Sequence, residues 1–530
     1  MPAIVPTSPT AAAPRESTGH ALFSYGTIFV VAAAARLLVA YLFFGSVDIV
    51  NDTVDSARLL DGSLFSARVP YLPGVHLLLW LGGQLAVRSS LPVAFCYKLF
   101  PCLFDSLIAV LIALWSADRA RSLRLGYLYA FAPVPIIVVA LHGQWDSVFL
   151  YFLILAIFLL RIGTRPGDAL AGGAFVFSVI AKPVAAPLLL FLFPAPRLLF
   201  GRQNDRGARI RTATLLAAMG ATTGAYLLLL AAMHSPLGIA QVREIFSYAQ
   251  HGVQLMGFRL FSDLGLPRSI GLASLAALLP AYWGGRLSRE RAVLLFFAFV
   301  MGVCGSAPQY LVWIVPFAMV CGEIAFAAIY NLLCAAVLLL YYQTPGTYSR
   351  NIENLAAYAP LRHFAWLAPS LTNGSAKTQI VFYGGDVIIP LAALAFFIVA
   401  MFRVARGVRP FDVPSEPVMV PLHRRAAGLS LLAVAVLLSA GCLWAKPGPR
   451  ITGAQLTRQI RARIDAEYWC VRFKEVNPLN RDAALWVLPS FVDPSIGARP
   501  LNAFTIGAGW TLIWTAGAAL MATRMRKAPG

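Results

Sequence analysis

The sequence predicts an all-α protein whose helices cross a membrane many times. Three observations carry that prediction. The chain is 59% hydrophobic and only 12% charged over 530 residues, whereas a soluble globule is about half apolar and about a quarter charged. Its apolar stretches recur at lengths close to the roughly 20 residues that a helix rising about 1.5 Å per residue needs to cross a bilayer. The short segments between them fall into two kinds, one rich in arginine and the other mixing acidic, aromatic and neutral polar residues.

Apolar runs occupy 22–44, 71–87, 98–115, 125–141, 147–161, 171–200 (interrupted by Lys182-Pro183 and Pro194), 213–233, 269–284, 292–303, 309–322, 324–342, 381–402, 426–444 and 505–522. The basic segments at 116–124, 201–211, 284–291, 403–425 and 524–527 are assigned to the cytoplasm, because Lys and Arg are retained on that side. The segments at 45–70, 142–146, 234–268, 304–308, 343–380 and 445–504 are assigned to the outside, with the amino terminus inside. One conflict of parity remains. A single crossing must separate 45–70 from 116–124, yet the runs 71–87 and 98–115 both lie between them. Either 71–87 is re-entrant or interfacial, or one inside assignment is wrong, so about 11 to 14 crossings are expected.

The organisation that follows is a polar tail at 1–20, a membrane core at 21–343, further spans at 344–444, an outer segment at 445–504, and a last span with a basic tail at 505–530. The further spans carry the outer loop 343–380 and the basic loop 403–425. The first apolar run is too long for the core of a cleaved signal peptide and is expected to stay as the first span. Within 234–268, Val242, Ile245, Phe246 and Ala249 have helical amphipathic spacing, which suits a helix lying in the interface. The segment 445–504 is either a cap over the membrane domain or a tethered loop.

The formal charge is +20. Its basic residues sit in short loops between apolar runs, so membrane topology accounts for them and nucleic-acid binding is not expected. The seven cysteines form no CxxC and no cluster with histidine, which argues against zinc or iron–sulfur centres. Cys442 and Cys470 lie in or beside an outer segment; they either pair or act as isolated small apolar side chains. Asn51 and Asn373 lie in acceptor sequences for N-glycosylation in segments assigned outside, relevant only in a host with that machinery. Walker, GxGxxG, HExxH and GxSxG motifs are all absent, and no alternating strand and helix pattern marks a nucleotide-sugar domain. An activated donor would therefore be held by the membrane domain itself.

Isolated charges are the informative residues, because an ionisable group near membrane depth is costly unless it is paired or in a wet cavity. The first outer loop carries Asp48, Asp52, Asp55 and Asp61. Spacings of four and three place Asp48, Asp52 and Asp55 on one face of a helix, where they suit binding a cation, deprotonating a hydroxyl or meeting a basic partner, or form a solvated acidic face. In 127–160, Asp146 stands with His142, Gln144 and Trp145 between two uncharged runs; it marks a site, caps the helix that begins at Ser147, or both. Lys182 precedes Pro183, which interrupts the helix, so its ammonium either faces a polar cavity, where it can meet a phosphate oxygen, or snorkels to the headgroups. Arg36 is a weaker candidate of the same kind. Gln309 and Tyr310 lie at the mouth of a late span, where Tyr310 and Trp313 also suit interfacial anchoring.

Four pieces of the chain resemble the GT-C fold, the large polytopic glycosyltransferases that use polyprenyl-phosphate sugars, and in particular its bacterial mannosyltransferase-like members. They are VDIVNDTVDSARLLDG followed by YLPG, then KLFPCLFDSLIAVLIALW, then the AP…GQWDS stretch at 132–147, and AKP with the late APQYLVWIVPF. Together they extend over residues 25–320, with 321–530 only generically similar. The chain departs from the family where YLPG replaces a tyrosine followed by two prolines, and where Gln309 stands at an often charged position. The resemblance implies a GT-C helical bundle in a bacterial plasma membrane with an outward-facing site. It implies inverting transfer of a hexose from a polyprenyl-phosphate donor to a lipid or glycan acceptor, with Asp48 as general base and Asp52 in reserve. It also implies Asp146 near the acceptor or an ion and Lys182 near the carrier phosphate, with His142, Gln144, Gln309 and Tyr310 as further substrate contacts. No cofactor is required, although a divalent cation at Asp48 or Asp146 is compatible. The competing expectation is a transporter or flippase, which shares the many spans and broken helices but predicts an internal repeat that this sequence does not show.

Overall fold

A computed structural model describes residues 18–42, 73–89, 91–116, 118–194, 206–232, 267–303, 308–341, 388–406 and 503–527. Among them every regular element is helical. The helices are α1 (Thr18–Leu42), α2 (Pro73–Arg88), α3 (Val93–Ala113), α4 (Arg119–Ala130), α5 (Asp146–Ile162), α6 (Arg165–Ala181), α7 (Arg206–Ala232), α8 (Pro267–Trp283), α9 (Arg289–Val303), α10 (Ile314–Val320), α11 (Ile324–Tyr341), α12 (Ile389–Ala405) and α13 (Ala503–Lys527). After α4 and an extended Ala132, a one-turn helix Pro133–Pro135 leads into a π-helical stretch, Ile136–His142, and 3-10 helices cover Pro183–Phe191 and Pro308–Val312.

Among the described residues three segments are long and apolar enough to cross a membrane, namely Ser24–Tyr41, Val93–Ala113 and Ala120–His142. Gln309–Val320, Ile324–Leu339 and Ile389–Ala405 form shorter apolar helices. The outer faces carry exposed Val30 and Leu38 on α1, Leu391, Ile398, Val399 and Phe402 on α12, and Leu512, Ile513 and Leu520 on α13. Apolar side chains repeated along outward helix faces need an apolar solvent, which identifies the chain as a helical membrane protein. Helix α2, at the position of the parity conflict, has 16 residues and reaches about 24 Å. That is shorter than the roughly 30 Å hydrocarbon layer.

The centre of the fold is α3 with α5, lined by residues such as Ile108, Leu111, Phe149, Leu153 and Ile157 that solvent does not reach. Close approaches use glycine where a Cβ has no room. A Cβ on Gly172 would stand 2.6 Å from the Leu215 carbonyl oxygen, so α6 and α7 touch almost backbone to backbone, and Gly126 fits likewise against Ala113. Helix α13 is fastened to α4 by two indole bonds, Trp510 Nε1 to Phe131 O at 2.9 Å and Trp514 Nε1 to Leu128 O at 2.8 Å.

Arg36 and Asp105 form an ion pair inside the bundle. Arg36 lies fully buried on α1, donating from Nε to Asp105 Oδ2 at 2.5 Å and from Nη1 to the carbonyl of Ala130 at 2.6 Å. Tyr129 donates to the other Asp105 oxygen at 2.6 Å. One guanidinium thus joins α1, α3 and the last carbonyls of α4, which lack helical partners because the helix stops there. The candidate residue Arg36 is therefore part of the core. Its partner is 69 positions away in sequence.

Helices α5 and α6 run antiparallel. Gly163, left-handed at φ 75°, and Thr164, whose hydroxyl accepts from Gly167 N, make their turn. Near this turn lie Asp168, held by Arg211 at 2.9 and 3.0 Å, and Arg161 beside Glu290 at 3.9 Å; Arg291 pairs with Glu323. The arginine-rich sequence segments thus supply ionic contacts at one end of the hairpin. The 17 residues of α5 carry the chain about 25 Å to the other end.

Candidate functional site

At that other end the structure brings together Asp146, Lys182, Tyr310 and Trp313. Asp146 opens α5 and Lys182 follows the last residue of α6. Lys182 adopts an extended backbone (φ −153°, ψ 115°) between α6 and the 3-10 helix Pro183–Phe191. Proline at 183 has no N–H and clashes with a preceding helical turn, so the helix yields here. Residue 182 then leaves the helical path at the level of Asp146. Ser178 Oγ, bonded to Phe149 O at 2.9 Å, fixes that level.

Lys182 Nζ donates to Asp146 Oδ1 at 2.7 Å, and Trp313 Nε1 donates to the same oxygen at 2.5 Å. The carboxylate is fully buried, while the lysine side chain keeps 16% exposure. Asp146 Oδ2 is buried and has no hydrogen-bond partner among the described residues. The ammonium lies 4.6 Å from the centre of the Tyr310 ring, 5.2 Å from Trp313 and 5.9 Å from Phe149. Tyr310 and Trp313 stack at 4.3 Å, and Phe149 meets Trp313 edge-on at 5.4 Å. The result is a cation bounded by one carboxylate and three ring faces, each of which favours positive charge.

The lysine is thus engaged with Asp146 as well as open to the surface, and snorkelling alone does not describe it. Asp146 does not cap its helix: the N-cap position is Trp145, and no side-chain cap bond forms. The chain reaches Asp146 through the π-helical stretch and a left-handed Gly143 at φ 91°. In that turn the Gln144 amide nitrogen is 2.8 Å from His142 Nε2, which accepts when the amide donates. Both side chains are buried, and the π-helical stretch packs on the 3-10 helix carrying Gln309 and Tyr310. Gln309 is half-buried. Asp48 and Asp52, like the glycosylation sequences, the segment 234–266 and Cys442 with Cys470, lie outside the described residues.

Two buried charges escaped the sequence reading. Lys98 is fully buried on α3 and donates to Leu141 O at 2.8 Å, holding the end of the π-helical stretch. Asp105 is the partner of Arg36. Both stand inside an otherwise apolar run, the same signal that singled out Asp146 and Lys182. Asn331 has a similar positioning role, accepting from Val134 N at 3.2 Å where the stretch begins.

Among the described residues no group of three or more His, Cys, Asp and Glu side chains is arranged to hold a metal ion. An ammonium 2.7 Å from Asp146 repels a divalent cation at the same carboxylate. The geometry instead suits an anion at the exposed side of Lys182. No protein-family model matches the chain, and no curated protein matches it.

Proposed function

We propose that this chain is a polytopic membrane glycosyltransferase of GT-C type. It moves a hexose, mannose by the motif resemblance, from a polyprenyl-phosphate carrier to a lipid or glycan acceptor on the outer face of a bacterial plasma membrane. The observation that carries the reading is Lys182: a partly exposed ammonium at a helix break, walled by aromatic rings, at the end of the bundle away from the arginine pairs. If the arginine-rich end is cytoplasmic, the lysine belongs to the outer side, and the bundle has about 11 to 14 crossings.

The chemistry needs little more. A polyprenyl phosphate leaves as a stabilised anion and chiefly requires a nearby cation. The acceptor hydroxyl is the weak partner and requires a carboxylate within about 3 Å to take its proton. Lys182 is assigned to the phosphate, and Asp48, with Asp52 in reserve, to the proton. A single displacement then inverts the anomeric carbon without a second carboxylate. His142, Gln144, Gln309 and Tyr310 are assigned to the substrate-facing surroundings. A charge at a broken helix is also what a transporter carries, and the same assay separates the two readings.

Purified protein in lipid is expected to transfer radiolabelled sugar from at least one polyprenyl-phosphate donor to a lipid or glycan extract. Asp48→Asn is expected to lose that transfer while keeping the parent's melting temperature. No transfer from any donor, together with movement of a lipid-linked saccharide across vesicles, would replace the transferase reading with transport.

A further inference from the structure

We infer that the Asp146–Lys182 ion pair is a latch opened by the donor phosphate, which draws Lys182 away and turns Asp146 toward the incoming hydroxyl. This rests on the assignment of Lys182 to the phosphate. The first ground is the unbalanced carboxylate. Both bonds to Asp146, from Lys182 and from Trp313, fall on Oδ1, while Oδ2 is buried with no partner among the described residues. A buried acceptor left without a donor is costly and calls for a reason. A position that a substrate hydroxyl fills during turnover supplies one.

The second ground is the lysine. It uses one of its three donors on Asp146 and keeps 16% exposure, so an anion can reach it from the open side. Its residue is extended, between a helix end and a 3-10 helix, and is not locked into a helical turn. The faces of Tyr310, Trp313 and Phe149 line its surroundings, so the ammonium can shift toward an anion and stay against rings. The third ground is Trp313. Its indole N–H remains on Asp146 Oδ1 when the lysine leaves, which anchors that oxygen while Oδ2 turns to the hydroxyl. Closed, the pair compensates its own charges in a low-dielectric surrounding; open, phosphate compensates the lysine, and the acceptor hydroxyl together with Trp313 compensates the aspartate.

A latch of this kind lowers apparent affinity for the anion by the fraction of molecules in which the lysine is released. Removing the competitor therefore strengthens binding. The test is titration of the full-length protein in lipid with farnesyl phosphate, with farnesol and inorganic phosphate as comparison arms. Asp146→Asn is expected to bind farnesyl phosphate about tenfold more tightly than the parent. Lys182→Met is expected to lose binding, and farnesol is expected to distinguish none of the proteins. Trp313→Phe keeps the ring but removes the donor that holds the freed carboxylate, so it is expected to weaken binding. That opposite sign carries the test if Asp146→Asn does not fold.

Farnesyl phosphate that binds the parent but binds Asp146→Asn no more tightly, or Trp313→Phe no more weakly, overturns the latch and leaves the phosphate assignment standing. Tightening seen with inorganic phosphate but not with farnesyl phosphate supports the latch and overturns the lipid-carrier reading. A parent that binds neither phosphate overturns both.

Discussion

Replacing Arg36 with Met is expected to destabilise the protein by about 3–5 kcal/mol, the range found when one partner of a buried pair is removed. The size follows from what remains. Asp105 would keep only the Tyr129 hydroxyl at 2.6 Å, and the carbonyl of Ala130 would lose the donor now 2.6 Å away. Neither group can turn to water, because Arg36, Asp105 and Tyr129 are all fully buried. The double variant Arg36→Met with Asp105→Leu removes both charges and is expected to lose much less than the single variant. Thermal unfolding of the three proteins in one detergent measures this. A double variant as unstable as Arg36→Met would show that the arginine acts through packing and not through its charge.

Lys182→Met is expected to lower sugar transfer by about 10²–10³-fold, the usual cost of removing one group that stabilises charge developing in a transition state. Loss of the ammonium also leaves the buried Asp146 carboxylate with the Trp313 donor alone, so transfer must be expressed per folded protein. Adding Asp146→Asn removes the uncompensated charge. The double variant is expected to regain melting temperature while transfer stays low, which separates chemistry from folding. Lys182→Arg keeps the charge but presents a planar fork in place of a compact ammonium, so intermediate activity is expected. Transfer within about twofold of the parent in the double variant would remove Lys182 from the proposed machinery.

Much of the helical layout was readable because apolar runs of span length leave the backbone no other way to satisfy its hydrogen bonds in lipid. Helices occupy the apolar runs wherever the structure describes them, and the break at Lys182-Pro183 falls where proline forbids a continuous helix. The pairing of Asp146 with Lys182 was legible in principle. Thr164, at the Gly163-Thr164 turn, lies midway between them, so an antiparallel hairpin must bring the two level. Other features had no local signal. Nothing in IIVVALH distinguishes the π-helical stretch from ordinary helix, and the side chains that bond to it and to the residues just before it, Lys98 on Leu141 O and Asn331 on Val134 N, are distant in sequence. Arg36 was visible as a lone charge, but Asp105 could be named only once α1 and α3 were side by side. The acidic loop with Asp48 and Asp52 remains a sequence expectation outside the described residues.

The most direct measurement is to photocrosslink a polyprenyl-phosphate sugar carrying a diazirine on the isoprene unit next to the phosphate, and to map the adducts by mass spectrometry. Adducts within 142–149, 178–186 and 309–313, suppressed by excess unlabelled donor, are expected if Lys182 takes the carrier phosphate. Suppressible adducts at the arginine-rich end, within 161–168 or 286–291, would place the carrier at the wrong end of the bundle and contradict the account.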